Sequence, residues 1–229
     1  MTVYIEKPAI NLREELADLR NQGTYQEQQF WYENLVTNGT FDTATTGWTG
    51  TNATLSVVSN RMRVTDAGAS SAAYQQISVI VGRTYKLTLD YLFPSSNVAT
   101  DYEISVREST FGGAIIVEKK TGLVEDVETN LSLIFTPTVS TVFVRLSPSS
   151  TTGDTADFDN ISVYESDGTD IVHRLPKGWK PKDVFEDGSL QREGAANDYE
   201  VVYDGFDYYV KPAVAPSATT QTCVIGVKA

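Results

Sequence analysis

Cysteine and histidine are almost missing from this chain. Its 229 residues hold a single cysteine, Cys223, and a single histidine, His173. One thiol closes no intrachain disulfide, so packing or assembly has to stabilise the fold. One thiol and one imidazole also build neither a His/Cys metal cluster nor a Cys–His nucleophile pair. Cys223 therefore reads as a small buried hydrophobe in a strand. Basic residues are scarce as well: 18 Lys and Arg stand against 30 Asp and Glu, for a net charge of −12. With no basic stripe to release counterions from a phosphate backbone, no nucleic-acid partner is expected. No stretch is long and apolar enough to span a bilayer, so no membrane insertion is expected either. The start, Met1-Thr2-Val3-Tyr4, has no apolar run behind a basic segment, and a secretory signal is not expected.

What is present favours β structure. The chain is 41% hydrophobic and 10% aromatic, and it is rich in Thr, Ser, Val and Tyr rather than in leucine runs. The expected fold is mainly β, with a short helical arm over 1–33, a β-sandwich over 34–165 and a small β domain over 166–229. In the arm, Asn11 with Glu14 forms a capping box, and a second box at Thr24 and Glu27 leads into a helix through Tyr32. Leu12, Leu16 and Leu19 make a narrow seam of the kind that packs helices on one another. The arm is thus an assembly handle or docks on its own domain. Phe30 and Trp31 join Leu12, Leu16 and Leu19 as candidate assembly residues, because a run of aromatics beside such a helix packs more often than it binds a ligand.

Downstream, period-two alternation takes over. Tyr85, Leu87, Leu89 and Tyr91 share one face, and Tyr102, Ile104 and Val106 repeat the pattern. Leu131, Leu133 and Phe135 do the same, as do Val142, Val144 and Leu146. Strands this closely spaced, with turn residues between them, mean a sandwich. Tyr85 and Tyr91 read as core. Ser166 to Asp170 is a polar break. Beyond it, Asp204-Gly205 marks a hairpin, in which a two-residue loop would pair Tyr203 with Phe206 and Val201 with Tyr208.

Two resemblances follow from motifs. Asn38-Gly39-Thr40-Phe41-Asp42 with Gly47-Trp48, answered by Asp159-Asn160-Ile161-Ser162-Val163, resembles the first and last strands of a carbohydrate-binding-module-like jelly roll. That likeness implies that the two ends of the domain lie side by side. It also implies that Trp48 plugs the core and that Asp42 and Asp159 hold a structural calcium. The run from Val184-Phe185 through Asp198-Tyr199 to Cys223-Val224 resembles a small β domain of bacteriophage tail and fibre proteins. Together they imply a virion structural protein, of tail fibre, head fibre or decoration type. Such a protein would be made in the host bacterial cytoplasm and assemble as a homo-oligomer, a trimer by analogy with fibres, beside other virion proteins. The alternative is a glycan-binding module for adsorption to the host surface, for which Tyr74, Tyr102 and Phe111 are the candidate contacts at strand ends or loops. No acid pair is set across a cleft by the sequence, so no catalytic residue is assigned and no enzyme activity is expected.

Overall fold

The computed structural model describes residues 27–194 and 196–228. Among these there is no helix, and seventeen strands carry the architecture. The expected helix ending at Tyr32 is corrected: its described part is strand β1 (Glu27–Tyr32), antiparallel to β17 (Thr222–Lys228). Long-range pairing overrides the capping signal here, because aromatic residues suit a half-buried strand. Phe30 and Tyr32 turn inward, with Phe30 edge-on to Trp179 at 5.2 Å and the Tyr32 hydroxyl donating to Arg174 O at 2.8 Å. Trp31 between them points outward and is 59% exposed. The leucine seam of Leu12, Leu16 and Leu19 lies outside the described residues.

Two five-stranded sheets enclose the larger core. One runs in the order β2 (Thr49–Thr51), β5 (Ala72–Ser78), β10 (Thr141–Ser147), β7 (Glu103–Glu108) and β8 (Ile115–Lys119). The other runs β3 (Ala53–Val58), β4 (Arg61–Asp66), β11 (Thr155–Glu165), β6 (Tyr85–Leu92) and β9 (Thr129–Phe135). All neighbours are antiparallel, and the chain crosses repeatedly between the sheets, which makes a jelly-roll sandwich. Along β6, Tyr85, Leu87, Leu89 and Tyr91 are buried while Lys86, Thr88 and Asp90 are not. Each such apolar side chain contributes about 1.5–3 kcal/mol of burial. Trp48 is in the core as expected, its indole N–H donating to Asn38 O at 3.3 Å.

The opening and closing motifs lie side by side. Ile161 N–H donates to Gly39 O at 2.9 Å and Leu35 N–H to Val163 O at 3.1 Å. The Asn34 side chain bridges the two, donating to Ile161 O and accepting from Val163 N–H. A Cβ on Gly39 would stand 2.1 Å from Ile161 O, so only glycine fits this crossing. β11 carries a bulge between Asp159 and Ser162, with Asn160 at a φ of 49°. The bulge breaks the alternation of β11 locally, and the Asn160 amide donates to the Asp90 carboxylate at 2.8 Å.

The smaller unit has its own core of Leu175, Val184, Tyr199, Val210 and Val224. Its first sheet is β1, β17, β13 (Trp179–Glu186) and β14 (Ser189–Leu190), so a strand preceding the sandwich completes a sheet that follows it. Cys223 on β17 is buried and unpaired, as read from sequence. The second sheet is β12 (His173–Arg174), β16 (Tyr208–Pro212) and β15 (Tyr199–Tyr203). The Asp-Gly hairpin exists, but Tyr203 pairs with Tyr208 and Val201 with Val210. The loop is longer than a two-residue turn because Asp204 Oδ1 accepts the N–H groups of Phe206 and Asp207, both at 2.9 Å.

His173 sits where the two cores meet. It is 1% exposed, lies 4.8 Å from the Tyr32 ring and 6.3 Å from the Tyr164 ring, and its Nε2 has no hydrogen-bond partner. Burial pushes its imidazole down to about 4. Beside it, Glu165 receives both Arg83 and Arg174 at 2.8 Å.

Candidate functional site: an aromatic and ionic sheet face

The alternation that buries Val142, Val144 and Leu146 turns Phe143 and Arg145 to the outer face of β10. Register then decides what stands beside them. Arg145 lies opposite Tyr74 on β5 and Ser105 on β7, and Ser105 lies opposite Glu118 on β8. In the next row Phe143 stands between Gln76 and Arg107. Phe111, in the loop joining β7 to β8, folds back to stack on Tyr74 at 5.1 Å with 15° between the rings. Tyr74 also meets Phe143 at 5.8 Å, so the three rings form one continuous, partly exposed surface.

Beside the rings lies an ion cluster. Glu103 Oε1 is 2.7 Å from Arg107 Nη2 and 2.6 Å from Arg145 Nη1, and it accepts the Ser105 hydroxyl at 2.6 Å. Lys120 approaches Glu103 Oε2 at 3.3 Å and Glu118 at 3.0 Å. Burial alone would raise the Glu103 carboxyl, but hydrogen bonds from Ser105, Arg107 and Arg145, with the Arg145 charge, bring it down to about 2. The face therefore offers flat apolar ring area next to fixed, charged donors, a combination suited to gripping a sugar ring and its substituents.

Of the residues singled out from sequence, Tyr74 and Phe111 are brought together here. Tyr102 is not: it is 2% exposed, stacked on Phe93 at 3.9 Å, with its hydroxyl donating to Glu125 at 2.8 Å. Its phase with Ile104 and Val106 already placed it inward, so it is a core residue rather than a glycan contact. Phe143, Arg145, Arg107 and Glu103 were not among the candidate residues, although they occupy the outward phase of β10 and β7. Gln75, next to Tyr74, faces inward and clamps the opening loop through Thr37 N–H at 2.7 Å.

Asp42 and Asp159, the acids implied for calcium, have no third acid, His or Cys side chain gathered with them among the described residues. Asp42 is exposed, with the Thr40 hydroxyl 3.4 Å away, whereas Asp159 lies opposite Asp90 and keeps one buried oxygen unpartnered. Burial, foremost, raises the Asp159 carboxyl. Calcium takes roughly six to eight oxygens, and among the described residues no three His, Cys, Asp or Glu side chains gather. A separate cleft of about 390 Å³ lies at the seam of the two units, bordered by Trp31, Leu35, Ile80, Tyr85 and His173.

No protein-family model matches the chain, and no curated protein sequence does. Among solved structures the chain is similar to a carbohydrate-binding module described as CBM4, with 15% identity over 57% of this chain and 99% of that one, at a TM-score of 0.48. It is also similar to the second N-terminal cellulose-binding domain of Cellulomonas fimi β-1,4-glucanase C, with 13% identity over 59% of this chain and 95% of that one, at a TM-score of 0.45. A third likeness is to the enzymatically active domain of tailspike protein 4 from bacteriophage CBA120. There the identity is 19% and the TM-score 0.42, over 58% of this chain but only 21% of that one.

Proposed function

We propose that this chain is a non-catalytic glycan-binding module that engages saccharide on the outer face of β5, β10 and β7. The observation that carries the reading is the continuous surface of Tyr74, Phe111 and Phe143 set beside Arg145 and Arg107. Ring faces stack on the C–H side of a pyranose, and the neighbouring charged and amide groups take its hydroxyls. The test is retention of the purified protein on immobilised polysaccharides, wild type against Tyr74→Ala. Tyr74 is partly exposed and outside the core, so the variant is expected to fold, and affinity is expected to fall about tenfold or more. Unchanged retention by a folded variant would overturn the assignment of the face.

The finer reading places this module in a bacteriophage virion, adsorbing the particle to host-surface glycan and held through its N-terminal region in a homo-oligomer. What supports assembly through this region is β1, an edge strand of its sheet that carries the exposed Trp31. Because β1 completes the C-terminal sheet, removing it would unfold that sheet, and Trp31→Arg is the cleaner probe. An oligomer in solution that dissociates on this substitution supports the reading. An oligomer that persists, or a wild-type monomer, contradicts it.

A further inference from the structure

The ion cluster on the sheet face is unevenly matched, and the mismatch centres on Arg145. This side chain is only 10% exposed, yet of its several N–H donors only Nη1 meets an acceptor among the described residues, at Glu103 Oε1. Glu103 cannot satisfy the rest. Its Oε1 already takes Ser105 and Arg107, and its Oε2 faces Lys120. The cluster thus holds three cations, Arg107, Arg145 and Lys120, against the two carboxylates of Glu103 and Glu118. None of the Arg145 nitrogens is among the sealed, unpartnered polar atoms of the described residues, so the unbonded donors keep some solvent contact.

Building on the glycan-binding reading above, we propose that the ligand is an acidic glycan whose sugar carboxylate docks on the free edge of the Arg145 guanidinium, beside the Tyr74 and Phe143 rings. A planar guanidinium grips a carboxylate through parallel N–H bonds, a geometry that no sugar hydroxyl reproduces. Glu103 fixes the guanidinium in place from the other side, so little ordering remains to be done on binding. The overall charge of −12 opposes an anionic polymer at long range. Exposed charges beyond about 8–10 Å are screened at physiological salt, so the local excess of positive charge decides the contact.

The experiment uses wild-type protein first, so that no variant has to fold. Polygalacturonate, alginate and hyaluronate are compared, each beside its carboxyl-methylated form, together with neutral xylan and β-glucan. The proposal expects at least one acidic polymer to be retained about tenfold more tightly than its methyl ester. It also expects Arg145→Lys, which keeps a charge beside Glu103 but loses the fork, to erase that preference. Equal binding of acid and ester, or retention of the neutral polymers alone, overturns the acidic-ligand inference and leaves the glycan-binding reading standing. Retention of no polymer at all removes both.

Discussion

Replacing Gly39 by alanine is expected to destabilise the protein by about 3 kcal/mol or more, because overpacking here meets backbone that cannot yield cheaply. The added Cβ would lie 2.1 Å from Ile161 O and 3.0 Å from Ile161 C. Relief requires moving either the opening segment or the bulged strand β11. Moving them apart breaks the hydrogen bond from Ile161 N–H to Gly39 O and loosens the Asn34 bridge to Ile161 and Val163. Urea unfolding, wild type against Gly39→Ala, measures the cost. An alanine variant as stable as wild type would show that the two ends of the sandwich do not cross this closely.

Stability is expected to fall in two separable steps as the pH drops. His173 is held at about 4, below its ordinary 6.5, so the unfolded chain takes up its proton first. The contribution of the neutral, buried imidazole is complete above 6.5 and is lost as the pH falls toward 4, about 3 kcal/mol in all. Glu103 is held at about 2 against 4.5, so its contribution is complete above 4.5 and is lost as the pH falls toward 2, again about 3 kcal/mol. His173→Phe should remove the upper step with little change at neutral pH, because Nε2 has no hydrogen bond to lose and the aromatic neighbours Tyr32 and Tyr164 remain. Glu103→Gln acts the other way. It leaves Arg107 and Arg145 without their carboxylate and should cost about 3–5 kcal/mol at neutral pH. That difference from wild type should shrink as the pH falls from 4.5 toward 2, because Glu103 of the unfolded wild-type chain takes up its proton there. Chemical denaturation at a series of pH values resolves the steps. Parallel pH profiles for wild type and both variants would show that neither group is coupled to folding.

How much of this was legible in the sequence depends on the range of the interaction involved. The inward residues of β6, β7 and β10 followed from alternation, because period two is a local property of the strand. So did the burial of Tyr85 and Tyr91, whereas that of Trp48 was implied by the Gly-Trp motif and that of Cys223 by its being a lone thiol. The crossing of Gly39 and Ile161 was implied by the paired motifs and is what the structure shows. The helix expected to run through Tyr32 failed because a capping signal is local, whereas β17, its partner strand, arrives far along the chain. The hairpin register slipped because Asp204 closes the turn with its side chain, which dipeptide preference does not register.

The site was the least legible part, for a topological reason. Each of Tyr74, Phe143, Arg145 and Glu103 is an ordinary outward residue on its own strand. They become a surface only because β5, β10 and β7 are neighbours in the sheet, and strand order is not written in periodicity. Tyr102 shows the converse. It stands between the acids Asp101 and Glu103, yet the phase it shares with Ile104 and Val106 carries it into the core.

The most direct test of the account follows backbone amide shifts while a fragment of a retained polysaccharide is titrated into the protein. The account predicts perturbations concentrated on β5, β10 and β7 and on the Phe111 loop, with the Arg145 and Tyr74 rows moving most. Perturbations gathered instead around Trp31, Ile80 and His173 at the seam, or an absence of any retained polysaccharide to titrate, would contradict it.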